Sequence, residues 1–198
     1  MKSPPRVGAL YRYPVKGFTP EACETLTVLA EGRVAGDRVL AFRLADSDAA
    51  DAAWARKQHC VVLMNTPGLA RLDVRFDHRA LRLRIGLEGA TLAEAALDDD
   101  GRKRLSTAIE NYVRELAENP LSGHPERLPL RLVGDGATPR YQDNEGGQAT
   151  LHSEGVAQLK KGESVTVLGE VVAIAAKKDE PSRWLKIALP SNTPVWVN

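Results

Sequence analysis

Apolar and polar positions alternate with a period of two through residues 72–76 and again through 81–85. Leu72, Val74 and Phe76 are separated by Asp73 and Arg75, and Leu81, Leu83 and Ile85 by Arg82 and Arg84. Each run buries one face of a strand. The link Asp77-His78-Arg79-Ala80 has hairpin length, so the pattern predicts a β-hairpin. Short apolar runs bounded by Gly, Pro and Asp predict further strands at 7–11, 26–29, 39–44 and 61–64. Helical periodicity is strong once: Leu105, Ile109, Tyr112 and Leu116 make one apolar stripe and predict a helix over 102–117. Asp98, Asp99 and Asp100 suit its N-terminus, as caps and as partners of the helix dipole, and Asn119-Pro120 its stop. A second, shorter helix is predicted over 47–54. The fold class is mainly β, an antiparallel sheet or barrel with one packed helix.

The chain has 198 residues, 43% of them hydrophobic, enough to bury a core as one ordinary domain or two small ones. Lys plus Arg total 27 against 26 Asp plus Glu. That balance excludes a general field drawing the protein to nucleic acid or to an anionic membrane, so any anion site is local. No stretch approaches a membrane span and residues 1–6 lack an apolar leader, which predicts a cytoplasmic protein. Cys23 and Cys60 are the only cysteines and show no metal-site spacing, so zinc and iron-sulfur sites are not expected; a disulfide between them is disfavoured by the compartment. The basic residues change character along the chain. Met1 to Ser153 hold 17 Arg and 4 Lys, Glu154 to Asn198 hold 1 Arg and 5 Lys. This places a boundary there, with parts 1–153 and 154–198.

Near the N-terminus stands Tyr13-Pro14-Val15-Lys16-Gly17, followed by Gly32-Arg33-Val34-Ala35-Gly36-Asp37-Arg38 and by Asn65-Thr66-Pro67-Gly68-Leu69-Ala70. On these motifs residues 6–153 resemble the N-terminal β-barrel module of the MOSC family of molybdenum-cofactor proteins. Two readings of the residues stand side by side. Lys16 follows a proline-fixed segment and precedes a glycine, which suits an ammonium presented from a stiff loop at a barrel mouth, and Arg38 offers forked donors to a phosphate. In the other reading Lys16 is a solvated loop residue and Asp37 and Arg38 form a structural salt bridge. The resemblance implies that Lys16 and Arg38 contact the anionic pterin, molybdopterin.

Downstream, Gly134-Asp135-Gly136-Ala137-Thr138-Pro139-Arg140 leads to Tyr141, similar to the passage from the family's N-terminal module into the MOSC domain proper. Amides of a glycine-rich turn, with Thr138 and Arg140 beside them, suit an anion; a polar connecting loop is the competing reading. After Ser153 the family pattern stops, and the segment with the molybdenum-ligating cysteine is lacking. Neither Cys23 nor Cys60 occupies its place, and Cys60 reads as a small core residue.

Residues 155–198 resemble a bacterial SH3-like module, on Leu159-Lys160-Lys161-Gly162, Val165-Thr166-Val167-Leu168, Trp184-Leu185-Lys186-Ile187 and Val195-Trp196-Val197. The match is incomplete. Trp184 and Trp196 are either an aromatic binding surface for a peptide or cell-wall ligand or core and rim residues of a small barrel.

The expected architecture is a MOSC N-terminal-type β-barrel with one packed helix, followed by a small SH3-like β segment. The first functional expectation is a molybdenum-cofactor binding module, related to MOSC-type oxidoreductases or sulfur carriers, with Lys16, Arg38, Thr138 and Arg140 at the cofactor. The alternatives are an SH3-like ligand-binding module on an inert barrel, and a truncated or artificial fusion without activity.

Overall fold

In the computed structural model the alternating residues 72–77 and 82–87 form the hairpin their pattern predicts. The model describes residues 7–30, 32–47, 50–51, 53, 56–141, 155–160, 165–172, 183–188 and 194–197. In chain order the elements are β1 (Leu10–Arg12), β2 (Glu21–Cys23), β3 (Thr25–Leu29), β4 (Ala41–Arg43), β5 (Leu72–Asp77), β6 (Arg82–Leu87), β7 (Ala90–Ala96), α1 (Asp99–Arg114), β8 (Arg131–Val133), β9 (Gly155–Lys160), β10 (Thr166–Val172), β11 (Arg183–Ala188) and β12 (Pro194–Val197). The fold is β-dominated, with one α-helix among the described residues. Their ladders have two or three strands each, and none closes on itself. No helix among them is long and apolar enough to cross a membrane.

The chain divides into two units. One comprises residues 1–10, 22–35 and 153–198. Here β3 pairs antiparallel with β9, and β10, β11 and β12 form an antiparallel sheet. Leu10, Leu26 and Val28 are buried together, with Val7, Cys23, Val34 and Val165 packed on them. The first strand of the C-terminal segment thus completes a ladder with residues 25–29.

The other unit comprises residues 11–21 and 36–152. Leu72, Val74 and Phe76 of β5 and Leu83 and Ile85 of β6 are buried, as the period of two requires, whereas Leu81, expected on the same face, precedes the strand with φ 48° and is exposed. The link between the strands is shaped by Asp77, whose carboxylate accepts from the amides of Arg79 and Ala80 at 2.9 Å each. A third strand, β7, extends the sheet through a tight turn at Glu88 and Gly89. Both turn residues have positive φ, 52° and 87°, which matches the twist of a two-residue hairpin.

Helix α1 begins and ends about one turn earlier than the apolar stripe predicts. Asp98 is the N-cap, its carboxylate accepting from the amide of Gly101 at 2.7 Å. Leu105, Ile109 and Tyr112 are buried in the core with Val15, Phe18 and Phe42. A polar row on the same helix serves β8. Arg102 donates to the Leu132 carbonyl, the Ser106 hydroxyl accepts from the Leu132 amide and Glu110 accepts from the Leu130 amide, at 3.2, 2.9 and 3.0 Å. The other edge of β8 pairs with β4, so side chains of α1 satisfy backbone groups that a missing strand would otherwise take.

Two expectations are corrected. Val61 and Val62 are buried, Leu63 is half-buried and Met64 is exposed, and the run makes no strand: Cys60 bridges to Arg43, and the chain then turns. Asn65 imposes the turn, accepting from the Val62 amide at 3.0 Å and donating to the Cys60 carbonyl at 2.9 Å. Cys23 and Cys60 are not joined in a disulfide. Of the helix expected over 47–54, the described residues 47, 50, 51 and 53 are not helical, and 48, 49, 52 and 54 lie outside the described residues.

Candidate functional site

Three segments far apart in sequence are tied together by their backbones. Pro14 fixes its own φ and leaves its carbonyl free to accept from the amides of both Val39 and Leu40, at 3.1 and 3.0 Å. Arg38 donates its amide to the Tyr13 carbonyl at 2.6 Å and Lys16 its amide to the Leu40 carbonyl at 2.8 Å. The third segment joins through Tyr141, whose amide donates to the Arg38 carbonyl at 3.0 Å. Gly134 permits this approach: a Cβ there would lie 2.1 Å from the Val39 carbonyl oxygen and 2.8 Å from the Tyr141 ring. Residues 13–16, 38–40 and 141 therefore form one framework.

Lys16, expected at a loop surface, is buried, with 1% of its surface exposed. Its ammonium donates to the Tyr141 carbonyl at 3.5 Å. A proline-stiffened backbone that pairs with Leu40 turns the side chain inward rather than to solvent. Burial pushes the nearby Cys60 thiol up to about 11, although the charges of Lys16 and Arg43 pull it down. It also pushes the Tyr141 phenol up to about 12 against Arg43 and Arg140. That phenol is fully buried and donates to the Asp51 carbonyl at 2.7 Å.

Arg38 lies at the edge of the framework. Its side chain is about one-third exposed, pairs with the Asp37 carboxylate and lies 5.1 Å from the centre of the Tyr13 ring. Asp37 also accepts from the Tyr13 amide at 2.6 Å, so one carboxylate clamps both residues. The salt bridge between Asp37 and Arg38 is present, and part of the guanidinium still faces solvent.

The glycine-rich turn holds an anion of its own. Asp135 accepts from the amides of Ala137 and Thr138 at 2.9 and 2.6 Å and from the Thr138 hydroxyl at 2.6 Å, and Arg140 approaches it to 3.7 Å. Burial opposes its ionisation, but the Thr138 hydroxyl, these amides and the Arg140 charge outweigh burial, and its carboxyl sits below the usual carboxylate value. Thr138 is buried in this arrangement, whereas Arg140 keeps about one-third of its side chain exposed. Arg38 and Arg140 thus flank the point where Tyr141 meets the Arg38 carbonyl. The organising residues the sequence reading passed over are Asp135 and Tyr141. The Asp followed by Ala137 and Thr138 in a glycine turn was the available signal for the first, and Tyr141 gave none.

Trp184 lies in β11 opposite Val171, and Trp196 in β12 opposite Lys186. Among the described residues no group of three or more His, Cys, Asp or Glu side chains is placed to hold a metal ion.

No curated protein and no solved structure matches the chain. The family described as the MOSC N-terminal beta barrel domain matches residues 4–115, more than half of the sequence. The match takes in Tyr13, Lys16 and Arg38 and ends before Thr138 and Arg140, and with it the chain belongs to the MOSC N-terminal beta barrel domain family.

Proposed function

We propose that this chain is a cofactor-binding module of a MOSC-type protein, in which Arg38 and Arg140 contact the phosphate of molybdopterin and Lys16 is buried in the framework that carries them. The observation that supports this reading is the hydrogen bond from the Tyr141 amide to the Arg38 carbonyl, which joins the backbone of Arg38 to the residue after Arg140, both arginine side chains being about one-third exposed. Guanidinium forks suit phosphate oxygens bidentately. The described residues fit the anionic end of the cofactor and not its metal. A cysteine ligates a metal as an accessible thiolate, and Cys60 is fully buried with its thiol near 11. When bound, the cofactor supplies the redox chemistry, in a cytoplasmic oxidoreductase or sulfur carrier. This chain binds and orients it.

The test is the molybdenum and pterin content of protein purified from a host that makes the cofactor, beside Arg38→Ala and Arg140→Ala. Retention in the parent and loss of most of it in either variant supports the reading; a parent that carries neither molybdenum nor pterin overturns it.

A second reading assigns peptide or cell-wall ligand binding to the SH3-like segment, supported by the antiparallel order of β10, β11 and β12, which carries Trp184 and Trp196. It requires that muropeptides bind the full chain and that Trp184→Ala release them.

A further inference from the structure

Beneath the Gly36 turn lies a second buried polar cluster. Arg12 is 8% exposed, and its guanidinium reaches Glu21, Phe76 and His78. Its Nε donates to the Glu21 carboxylate at 2.7 Å, one Nη to the Phe76 carbonyl and the other Nη to His78 Nδ1 at 3.1 Å. The second Glu21 oxygen accepts from the Phe76 amide at 3.2 Å, which locks the pair to β5. The guanidinium carbon lies 5.9 Å from the centre of the Phe76 ring.

Two consequences follow from donor and acceptor inventory alone. Arginine has only donors, so His78 accepts on Nδ1 and carries its proton on Nε2. An imidazolium has no acceptor at all, so one added proton abolishes this hydrogen bond and sets two cations against each other. The turn that bears Arg38 rests directly on the pair. Gly36 has φ +74°, and a Cβ there would fall 2.7 Å from the Arg12 Nη and 3.1 Å from His78 Cβ. A shift of Arg12 or His78 is therefore transmitted to the Gly36 backbone at van der Waals contact.

We infer that His78 is a proton-sensitive brace for the Gly36-Asp37-Arg38 turn, firm when its imidazole is neutral and released when it is protonated. The charged groups around the imidazole are Arg12 from β1, Glu21 from β2, and Asp77 and Arg79 from its own turn. Burial, then the positive charges of Arg12 and Arg79, hold its pKa below the usual histidine value, and Asp77 and Glu21 offset only part of this. With the folded pKa lowered, the unfolded or loosened state binds the proton more readily. The brace is at full strength above about pH 6.5 and weakens as pH falls through that value towards the folded pKa. The inference is independent of what Arg38 binds.

The experiment is NMR on the isotopically labelled full chain between pH 7.5 and 5. Imidazole nitrogen shifts give the tautomer and pKa of His78. Amide exchange gives protection factors for Arg38, Val39 and Leu40, whose N–H groups close the turn onto Tyr13 and Pro14. The expected result is an Nε2-protonated tautomer, titration below about 6.5, and protection that falls by up to about tenfold per pH unit in the range where the loosened state is protonated and the folded one is not. In His78→Asn, whose Oδ1 accepts at every pH, that loss is absent. An Nδ1-protonated tautomer, titration at or above the usual value, or pH-independent protection in the parent overturns the inference, and so does an equal loss in His78→Asn. The first three readings need no variant and stand even if His78→Asn fails to fold.

Discussion

Lys16 directs its ammonium at the carbonyl of Tyr141, 3.5 Å away, from a position where only 1% of the residue is exposed. A cation so placed is either a structural strut or a charge whose desolvation is accepted for a ligand's sake. The two differ in what an apolar side chain of similar length does.

If Lys16 acts mainly by filling space, Lys16→Ala leaves a void beside Tyr141 and costs about 2–4 kcal/mol, whereas Lys16→Met keeps most of the volume and costs less than about 1.5 kcal/mol. We expect this outcome, because buried charges are often replaced by apolar isosteres at little cost. Urea unfolding of both variants measures it. Equal destabilisation by Met and Ala would show instead that the ammonium bond to Tyr141 holds the framework.

Asp135 gives a pH prediction of defined sign. Its folded pKa lies below the ordinary value, chiefly because the Thr138 hydroxyl and amide outweigh the opposing effect of burial. The stability it contributes is therefore present above the unfolded pKa of about 3.9 and is lost as pH falls through the lower, folded value. Thermal unfolding between pH 6 and pH 2.5 should show a decline in the parent that is shallower in Asp135→Asn. An identical acid slope in the two proteins would mean that the turn does not depend on the ionised carboxylate.

What the sequence revealed depended on how local the determining interactions are. The β5–β6 hairpin and α1 were legible because a period of two or of 3.6 is written in neighbouring residues, Leu72 to Ile85 and Leu105 to Leu116. Strand β7, with sequence ATLAEAA, escaped because Ala, Leu and Glu carry no strand signature, and its conformation is imposed by the Glu88-Gly89 turn and by pairing with β6. The run 61–64 misled because Val61 and Val62 are buried without a ladder, the amide of Val62 being taken by Asn65, while Met64 is exposed in the turn. At the site, Lys16, Arg38 and Arg140 stood out by residue type and by their glycine and proline neighbours. Which of them faces solvent did not, since the burial of Lys16 follows from backbone bonds to Leu40 and from the return of residue 141. The turn amides looked open to an outside anion, but Asp135 takes those of Ala137 and Thr138.

The two cysteines should differ sharply towards a thiol reagent. Reaction needs an accessible thiolate. Cys60 is fully buried, with its thiol pushed up to about 11, so at pH 8 only about one molecule in a thousand carries the thiolate, and that one is shielded. Cys23 forms no disulfide and is half-buried at the end of β2. In the native protein we expect one thiol to be titrated by an aromatic disulfide reagent at pH 8, and the second only after denaturation. Mass spectrometry of the labelled peptides identifies which thiol reacted. Prompt native labelling of Cys60 would mean that the Asn65 turn opens readily, since Asn65 holds the Cys60 carbonyl and Val62 amide against the segment that bears the thiol. The framework around Lys16 and Tyr141 would then be looser than its hydrogen bonds imply, and the same measurement on Asn65→Ala would locate the opening.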